Sequence, residues 1–275
     1  MTTAALPTIS IVIPSLNHGI FLEQAIGSVL SQGYPALELI VMDGGSTDTS
    51  RAVIARHAAA LSYWLSAPDG GPAEALNRGF AHSTGDILGF LNADDFLLPG
   101  ALHAIARAFV AAPETDVISG HGYFATADGT LGAPMHSDEW SLKRFRFGTC
   151  VLLQPSTFFR RRAFERAGGV PQTGRVCWDM ELWAALARSG ARFATIDVFL
   201  SAFRLHDQSL TVRADSAERR RRDARAVMAE VAGHRETPFE RLASLLFRLL
   251  KFARHPVRSL QRRAFFLSAL RRWSL

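Results

Sequence analysis

The segment Ile87-Leu88-Gly89-Phe90-Leu91-Asn92-Ala93-Asp94-Asp95 constrains the chain most. Its first five residues are apolar without alternation, the pattern of a central strand in a parallel sheet covered by helices on both faces. It then ends abruptly in an Asn and two adjacent acids, which no core would select. Charge at the carboxyl end of such a strand lies at the crevice where open α/β sheets bind ligands. Two neighbouring carboxylates repel each other there unless a cation is present, and hard divalent ions take oxygen ligands of this kind. The expected occupant is a metal ion with a phosphorylated ligand.

The same pattern occurs twice upstream. Ile9-Ser10-Ile11-Val12-Ile13 runs into Pro14-Ser15-Leu16-Asn17, and Leu37-Glu38-Leu39-Ile40-Val41-Met42 runs into Asp43-Gly44-Gly45-Ser46-Thr47-Asp48. Helical patterns over Phe21 to Gln32 and Thr49 to Ala60 separate these strands. The order β-α-β-α predicts a parallel sheet with right-handed crossovers, which brings all three strand ends together.

At these residues the chain resembles the family 2 glycosyltransferases of the GT-A fold, inverting enzymes that use nucleotide-sugar donors. Pro14, Ser15 and Asn17 match the family's Pro-Ser-x-Asn-like turn. Asp43 through Asp48 match its acidic Gly-Ser-Thr-Asp turn, which the resemblance places against the nucleotide base and ribose. Asn92-Ala93-Asp94 followed by Asp95 looks like the Asp-x-Asp metal motif, with Asn in place of the first acid, so Asp94 is the better ligand. The commoner Asp-Asp-Gly-Ser is here Asp43-Gly44-Gly45-Ser46. Further matches are Pro68 to Pro72 with Asp69, the helix Ala73 to Ala81 with Asn77 and Gly79 beside the nucleotide, and Gln154 to Phe159 with Arg160-Arg161-Arg162 and Gly168-Gly169. Trp178-Asp179-Met180-Glu181-Leu182-Trp183 resembles the catalytic-base segment, and Arg204 to Ser209 the closing segment whose His206 completes the metal site.

The resemblance implies these roles, and each has a simpler alternative. Asp94 ligates Mn²⁺ or Mg²⁺, and Asp95 shares the ion or holds the donor sugar; alternatively Asp95 caps a helix over Leu97 to Val110. His206 is a third ligand or a hydrogen-bonded loop histidine, and imidazole suits Mn²⁺ better than Mg²⁺. Asp43 accepts hydrogen bonds from the base or ribose, while Gly44 and Gly45 let the backbone approach the ligand, unless this is an ordinary Asp-Gly turn. Asp69 touches the nucleotide or builds a turn, and Asp48 caps the following helix. Asp179 is the base that takes the acceptor proton, or an N-cap of the helix ending at Gly190; Glu181 is its rival, and Asp138 and Glu139 are weaker candidates, expected to be solvated. Of the tryptophans only Trp178 is assigned to the site. Arg160, Arg161 and Arg162 could approach phosphate, though three in succession cannot share one face.

Composition separates the remaining classes. With 275 residues, 48% hydrophobic, the chain can bury a large core. Residues 213–275 hold 16 of the 31 Lys and Arg but 6 of the 25 Asp and Glu, a net +10, leaving residues 1–212 at −4. The basic balance therefore belongs to the tail, and the acidic first part argues against a nucleic-acid partner. No apolar run reaches the roughly 18 residues of a membrane span, and Met1 to Pro7 has no charged signal head, so a cytoplasmic location is expected. Cys150 and Cys177 show neither metal nor disulfide spacing and read as packing residues. In the tail, Phe239, Leu242, Leu246, Leu249 and Leu250, then Leu260, Ala264, Leu267 and Leu270 after Pro256, recur at helical spacing among arginines. This predicts amphipathic basic helices that lie on the anionic inner face of the cell membrane, with Phe252, Phe265, Phe266 and Trp273 at the acyl boundary, or that pack on the domain or form a homodimer.

The expectation is an α/β, GT-A-like domain over 1–212, with a nucleotide-binding half (1–95) and an acceptor half (96–212), followed by a helical basic tail (213–275). Its function is inverting transfer of a sugar from a nucleoside diphosphate sugar to a hydroxyl on a saccharide or lipid-linked acceptor, in cell-surface polysaccharide or glycolipid assembly. The alternatives are a sugar-phosphate nucleotidyltransferase, which would want a Gly-rich, Arg/Lys-bearing loop that Pro14 to Gly19 lacks, and a non-catalytic nucleotide-sugar-binding module.

Overall fold

The computed structural model describes residues 6–209, 214–233 and 237–254, with Pro256, Val257, Leu260, Ala264 and Phe265. Four parallel strands begin the sheet: β1 (Ile9–Ser15), β2 (Leu37–Asp43), β3 (Tyr63–Ser66) and β4 (Ile87–Phe90). Helices α1 (Gly19–Leu30) and α2 (Ser50–His57) connect them as the apolar periodicity predicts, and α3 (Pro72–Ala81) as the resemblance implies. The second part contributes β5 (Phe96–Leu97), α4 (Ala101–Ala111), β6 (Val117–Ala125), β7 (Leu131–Met135), α5 (Leu142–Arg146), β8 (Thr157–Arg160), α6 (Arg161–Ala167), α7 (Trp178–Arg188) and β9 (Phe193–Arg204). The sheet order is β3-β2-β1-β4-β8-β6-β9-β5, with β7 on β6. β8 enters antiparallel between β4 and β6, β9 runs parallel to β6, and β5 runs antiparallel to β9. One mostly parallel sheet thus crosses both parts. It curls back on itself at β5, where Leu97 N–H donates to Ser28 Oγ of α1 at 3.0 Å.

Both faces of the sheet are covered, so its central strands need no polar side. In β1, Ile9, Ile11 and Ile13 pack with Leu22, Ile26 and Ile54, and with Leu102 and Ile105 of α4. Val12 points the other way, onto Leu76 and Phe80 of α3 and a layer containing Phe164, Leu182 and Trp183, as the two-residue strand period requires. Gly79 lets α3 close on the strands, since a Cβ there would lie 2.6 Å from a Val12 methyl. The register Ser15↔Asp43 and Asp43↔Ser66 aligns the carboxyl ends of β1, β2 and β3, and Phe90 pairs with Val12, so β4 opens beside them.

Several local expectations are corrected. The helix expected from Leu97 begins at Ala101: Leu97 belongs to β5, and Gly100, in the left-handed region at φ 79°, precedes the first turn. Asp95 therefore caps nothing there. Arg160, Arg161 and Arg162 are not at the crevice; Arg160 and Arg161 are partly buried and Arg162 is exposed. Arg160 donates to Thr115 O and Phe109 O, Arg161 to Gly85 O and Ser83 Oγ, and Arg162 pairs with Asp116. These contacts lie at the opposite edge, where Arg160 is in register with Ile87, the first residue of β4.

The tail folds back on the domain. α8 (Ala214–Ala232) buries Val227 in the second core and accepts the Val176 N–H on Asp223 Oδ2 at 3.2 Å. α9 (Pro238–Arg254) docks through Ser244, whose hydroxyl donates to Phe147 O at 2.8 Å, Phe247 stacked on Phe147, and Lys251 on Asp138. Asp138 is thus a strut between loop and tail, which corrects its reading as a solvated acid. The apolar stripe does not make this contact: Leu242, Leu245, Leu246, Leu249 and Leu250 are 48–64% exposed. Phe265, expected at a lipid boundary, instead stacks on Phe124 at 5.3 Å. The side chain of Phe239 and residues Leu267, Leu270, Phe266 and Trp273 lie outside the described residues.

Candidate active site

The strand-end loops form one platform. Asn17, at φ 55°, accepts the Thr47 N–H on its side-chain oxygen at 2.9 Å, and its own N–H donates to Ser46 Oγ at 2.7 Å. Asp48 accepts both the Gly19 and Ser50 N–H groups, tying the starts of α1 and α2 together; the expectation of a single cap was too narrow. Asp43 is buried and accepts from Ser46 N–H, Ser46 Oγ and Ser66 Oγ. Its carboxylate thereby builds the turn. Gly44 and Gly45 likewise serve loop packing, since a Cβ on Gly44 would meet the Asp69 carboxylate at 3.2 Å and one on Gly45 would meet Pro68 at 3.1 Å.

Pro14 is inside β1, and Ser15 is buried with its hydroxyl unpartnered. Asp69 stays partly exposed beside this platform, accepts the Gly71 N–H, and has its carboxyl raised by burial, with the Glu74 charge adding to the shift. Asn77 is partly exposed. Its amide exchanges two hydrogen bonds with the Val170 backbone, donating to O at 2.8 Å and accepting from N–H at 2.9 Å, and so staples α3 to the second part of the chain.

After β4 the two acids diverge. Asp94 remains partly exposed, with Oδ2 3.1 Å from His206 Nε2. Asp95 is 1% exposed and accepts the Arg204 N–H at 2.9 Å. Burial, then the Asp94 charge, raises its carboxyl well above the ordinary range. Through Oδ1 it is a buried strut to β9, while its Oδ2 has no partner among the described residues. Asn92 is partly exposed and donates to Gln154 Oε1 at 3.0 Å. Arg204 locks this loop: buried over the Phe21 and Phe96 rings, it donates to Asp94 O at 2.6 Å and Ala127 O at 2.7 Å, and to Gln24 Oε1.

A third side chain reaches Asp94 and His206. One ligand atom from each of His18, Asp94 and His206 lies within 4.8 Å of the others. Small rotations suffice to close that separation onto metal–ligand bonds of about 2 Å. His206 is 2% exposed, and its Nδ1 and that of His18 have no partner among the described residues. Two imidazoles with spare nitrogens and a half-open carboxylate fit a divalent transition ion. His18 has no assigned role in the sequence, where nothing local marks it, and Gln154 and Arg204 appear there only as the first residues of matching segments, without their contacts.

Asp179 and Glu181 are separated by environment. Trp178 packs on Phe90, the last residue of β4, at 5.0 Å, which puts the start of α7 at the same sheet edge. Trp178 is itself core, correcting its assignment to the site. Asp179 is in the first turn rather than at the N-cap, which is Cys177. The residue is partly exposed and its Oδ1 accepts the Met180 N–H at 2.8 Å; burial raises the carboxyl, and the Glu181 charge raises it further. Glu181 is 4% exposed and held by Thr173 Oγ1 at 2.6 Å and Arg175 at 2.9 Å. One Glu181 oxygen, Oε2, has no partner among the described residues. Cys177 is buried and its thiol is pushed up to about 12 by burial and then by the neighbouring acids, so it is a packing residue, as expected.

Residues 10–167 match the model of glycosyl transferase family 2. The chain belongs to that family. This glycosyltransferase is 32% identical over 185 residues to an uncharacterised glycosyltransferase of Mycobacterium tuberculosis, covering 66% of this chain and 68% of that one. It is 36% identical over 169 residues to the O-antigen biosynthesis protein RfbC of Myxococcus xanthus, covering 60% of this chain and 13% of RfbC. Staphylococcus aureus TarS 1-349 in complex with UDP-GlcNAc superposes with a TM-score of 0.64 at 17% identity, covering 86% and 69% of the two chains. The mannosyltransferase PcManGT of Pyrobaculum calidifontis, in complex with GDP-Man and Mn²⁺, gives 0.59 at 18%, covering 96% and 86%. The shared architecture is the GT-A fold that the strand-end motifs imply.

Proposed function

We propose that this glycosyltransferase transfers a sugar, with inversion, from a nucleoside diphosphate sugar to a hydroxyl of a saccharide or lipid-linked acceptor in cell-surface glycan assembly. The observation that carries the reading is the convergence, at one sheet edge, of the His18–Asp94–His206 cluster and the start of α7 with Asp179. Relatives named for O-antigen synthesis and for glucosyl transfer to a diphosphate-undecaprenol-linked glycan support the acceptor class. The acceptor oxygen bonds to the anomeric carbon as that carbon's bond to the diphosphate breaks. Its proton passes to Asp179, and the nucleoside diphosphate leaves with the electron pair. A divalent ion at Asp94 and His206 would offset the leaving-group charge. Asp69, Asn92 and the backbone of the Ser15–Asn17 turn border the nucleotide. Asp179→Asn should cut transfer by about 10²–10⁴-fold, the usual range for losing a general base, while a thermal shift with UDP or GDP plus Mn²⁺ is retained. Unchanged transfer, or a product with retained anomeric configuration, would refute this mechanism.

The exposed leucine face of α9 supports membrane-surface contact that brings the site to a lipid-linked acceptor. Among the described residues no helix is long and apolar enough to cross a membrane. The leucines, turned outward by the docking of Ser244, Phe247 and Lys251, suit a helix lying in the interface.

A further inference from the structure

We infer that His18 is a third protein ligand of the ion, making a two-imidazole, one-carboxylate centre that takes Mn²⁺ before any nucleotide arrives and discriminates against Mg²⁺. The inference rests on the reading of Asp94 and His206 as metal ligands and adds a residue and a selectivity to it. His18 is held on both sides. Asn17 is bonded to Ser46 and Thr47, and the Gly19 N–H donates to Asp48 at 2.8 Å. A Cβ on Gly19 would fall 2.2 Å from Thr49 Oγ1, so the backbone beside His18 can seat closely against the start of α2 only as glycine. His206 is oriented by Phe21, 4.5 Å away between ring centres, and Phe21 lies under the Arg204 guanidinium that also grips the Asp94 carbonyl. The His18 and His206 rings stand edge to face, 6.3 Å apart. The three side chains are thus placed by the β1 loop, the β4 loop and the end of β9, all anchored independently of a ligand.

Donor chemistry gives the selectivity. Mg²⁺ takes oxygen ligands, dehydrates reluctantly and gains little from imidazole. Imidazole nitrogen favours first-row transition ions over Mg²⁺, and Mn²⁺, the earliest of that series, combines this with acceptance of carboxylate and phosphate oxygens. With one histidine, a pyrophosphate and a carboxylate the site would be oxygen-dominated and nearly indifferent between the two ions. The second imidazole tips it.

The test uses the full chain with Mn²⁺ alone, then Mg²⁺ alone, by calorimetry and by electron spin echo spectroscopy of bound Mn²⁺, which detects directly coordinated nitrogen. The wild type should show two imidazole nitrogens and His18→Ala one. The variant should lose more than about tenfold in Mn²⁺ affinity, the cost usual for disturbing even an outer-shell partner of a metal ligand. His18→Asp, which exchanges nitrogen for oxygen, should shift the preference toward Mg²⁺. A wild-type signal from one nitrogen, or unchanged affinity and nitrogen count in His18→Ala with Asp94→Ala still abolishing binding, overturns the His18 assignment and leaves the metal reading standing. Failure of the wild type to bind Mn²⁺, with or without UDP, overturns both.

Discussion

Asn77→Ala separates a structural staple from a nucleotide contact. The side chain gives the Val170 backbone both a donor and an acceptor, at 2.8 and 2.9 Å, and Val170 itself is 2% exposed. Two ordinary hydrogen bonds contribute about 1 kcal/mol each, and a backbone group left buried without a partner costs about 1–3 kcal/mol. Asn77 is partly exposed, so water can reach part of the gap, and the loss should be about 2–3 kcal/mol. For a chain of this size that is a fall in Tm of about 4–12 °C. The assay is thermal and urea unfolding of the free protein, paired with calorimetric titration of UDP and GDP with Mn²⁺ at a temperature where both proteins are folded. Stability should fall and nucleotide affinity should change little. Asn77→Asp, which keeps the acceptor for Val170 N–H and loses the donor, should lie between the two. An unchanged Tm with weakened nucleotide binding would refute the reasoning and restore Asn77 to the nucleotide pocket.

Glu181→Gln breaks the ion pair with Arg175 while keeping an acceptor for Thr173, so it should lower stability, by about 1–3 kcal/mol for a hydrogen bond to a charged group, and leave transfer far less affected than Asp179→Asn. Equal loss of transfer in both, at equal stability, would move the base to Glu181. Because burial raises the Asp179 carboxyl above its ordinary value, and the base works only when ionised, the acid limb of kcat/KM should lie above the usual aspartate range; a limb at or below that range would contradict the assignment. Replacing Leu245 and Leu249 by Glu should abolish co-sedimentation with anionic vesicles and leave Tm within about 2–4 °C, since exposed substitutions rarely exceed ±0.5 kcal/mol each. Retained vesicle binding would remove the case for α9 as a membrane face.

Local pattern alone determined the framework of this protein. An apolar run is buried whichever strand it pairs with, so the strands ending at Ser15, Asp43 and Phe90 were legible, as were the helices between them. Asp94, at the end of such a run, could face only the crevice. What a polar side chain does there depends on partners far along the chain, and only the tertiary structure supplies those. Asn77 meets Val170 across 93 residues and His206 meets Asp94 across 112. Asp43, Asp95, Asp138 and Glu181 looked as available as Asp94 and Asp179, yet Ser46 and Ser66 bond to the first, the Arg204 backbone to the second, Lys251 to the third, and Thr173 and Arg175 to the fourth. His18 carries no local mark at all and joins the centre because Asp48 and Ser46 hold its neighbours. The outward turn of the α9 leucines follows in the same way: hydrophobic spacing defines a face, but the docking of Ser244, Phe247 and Lys251 on the domain decides that this face is left to the solvent side.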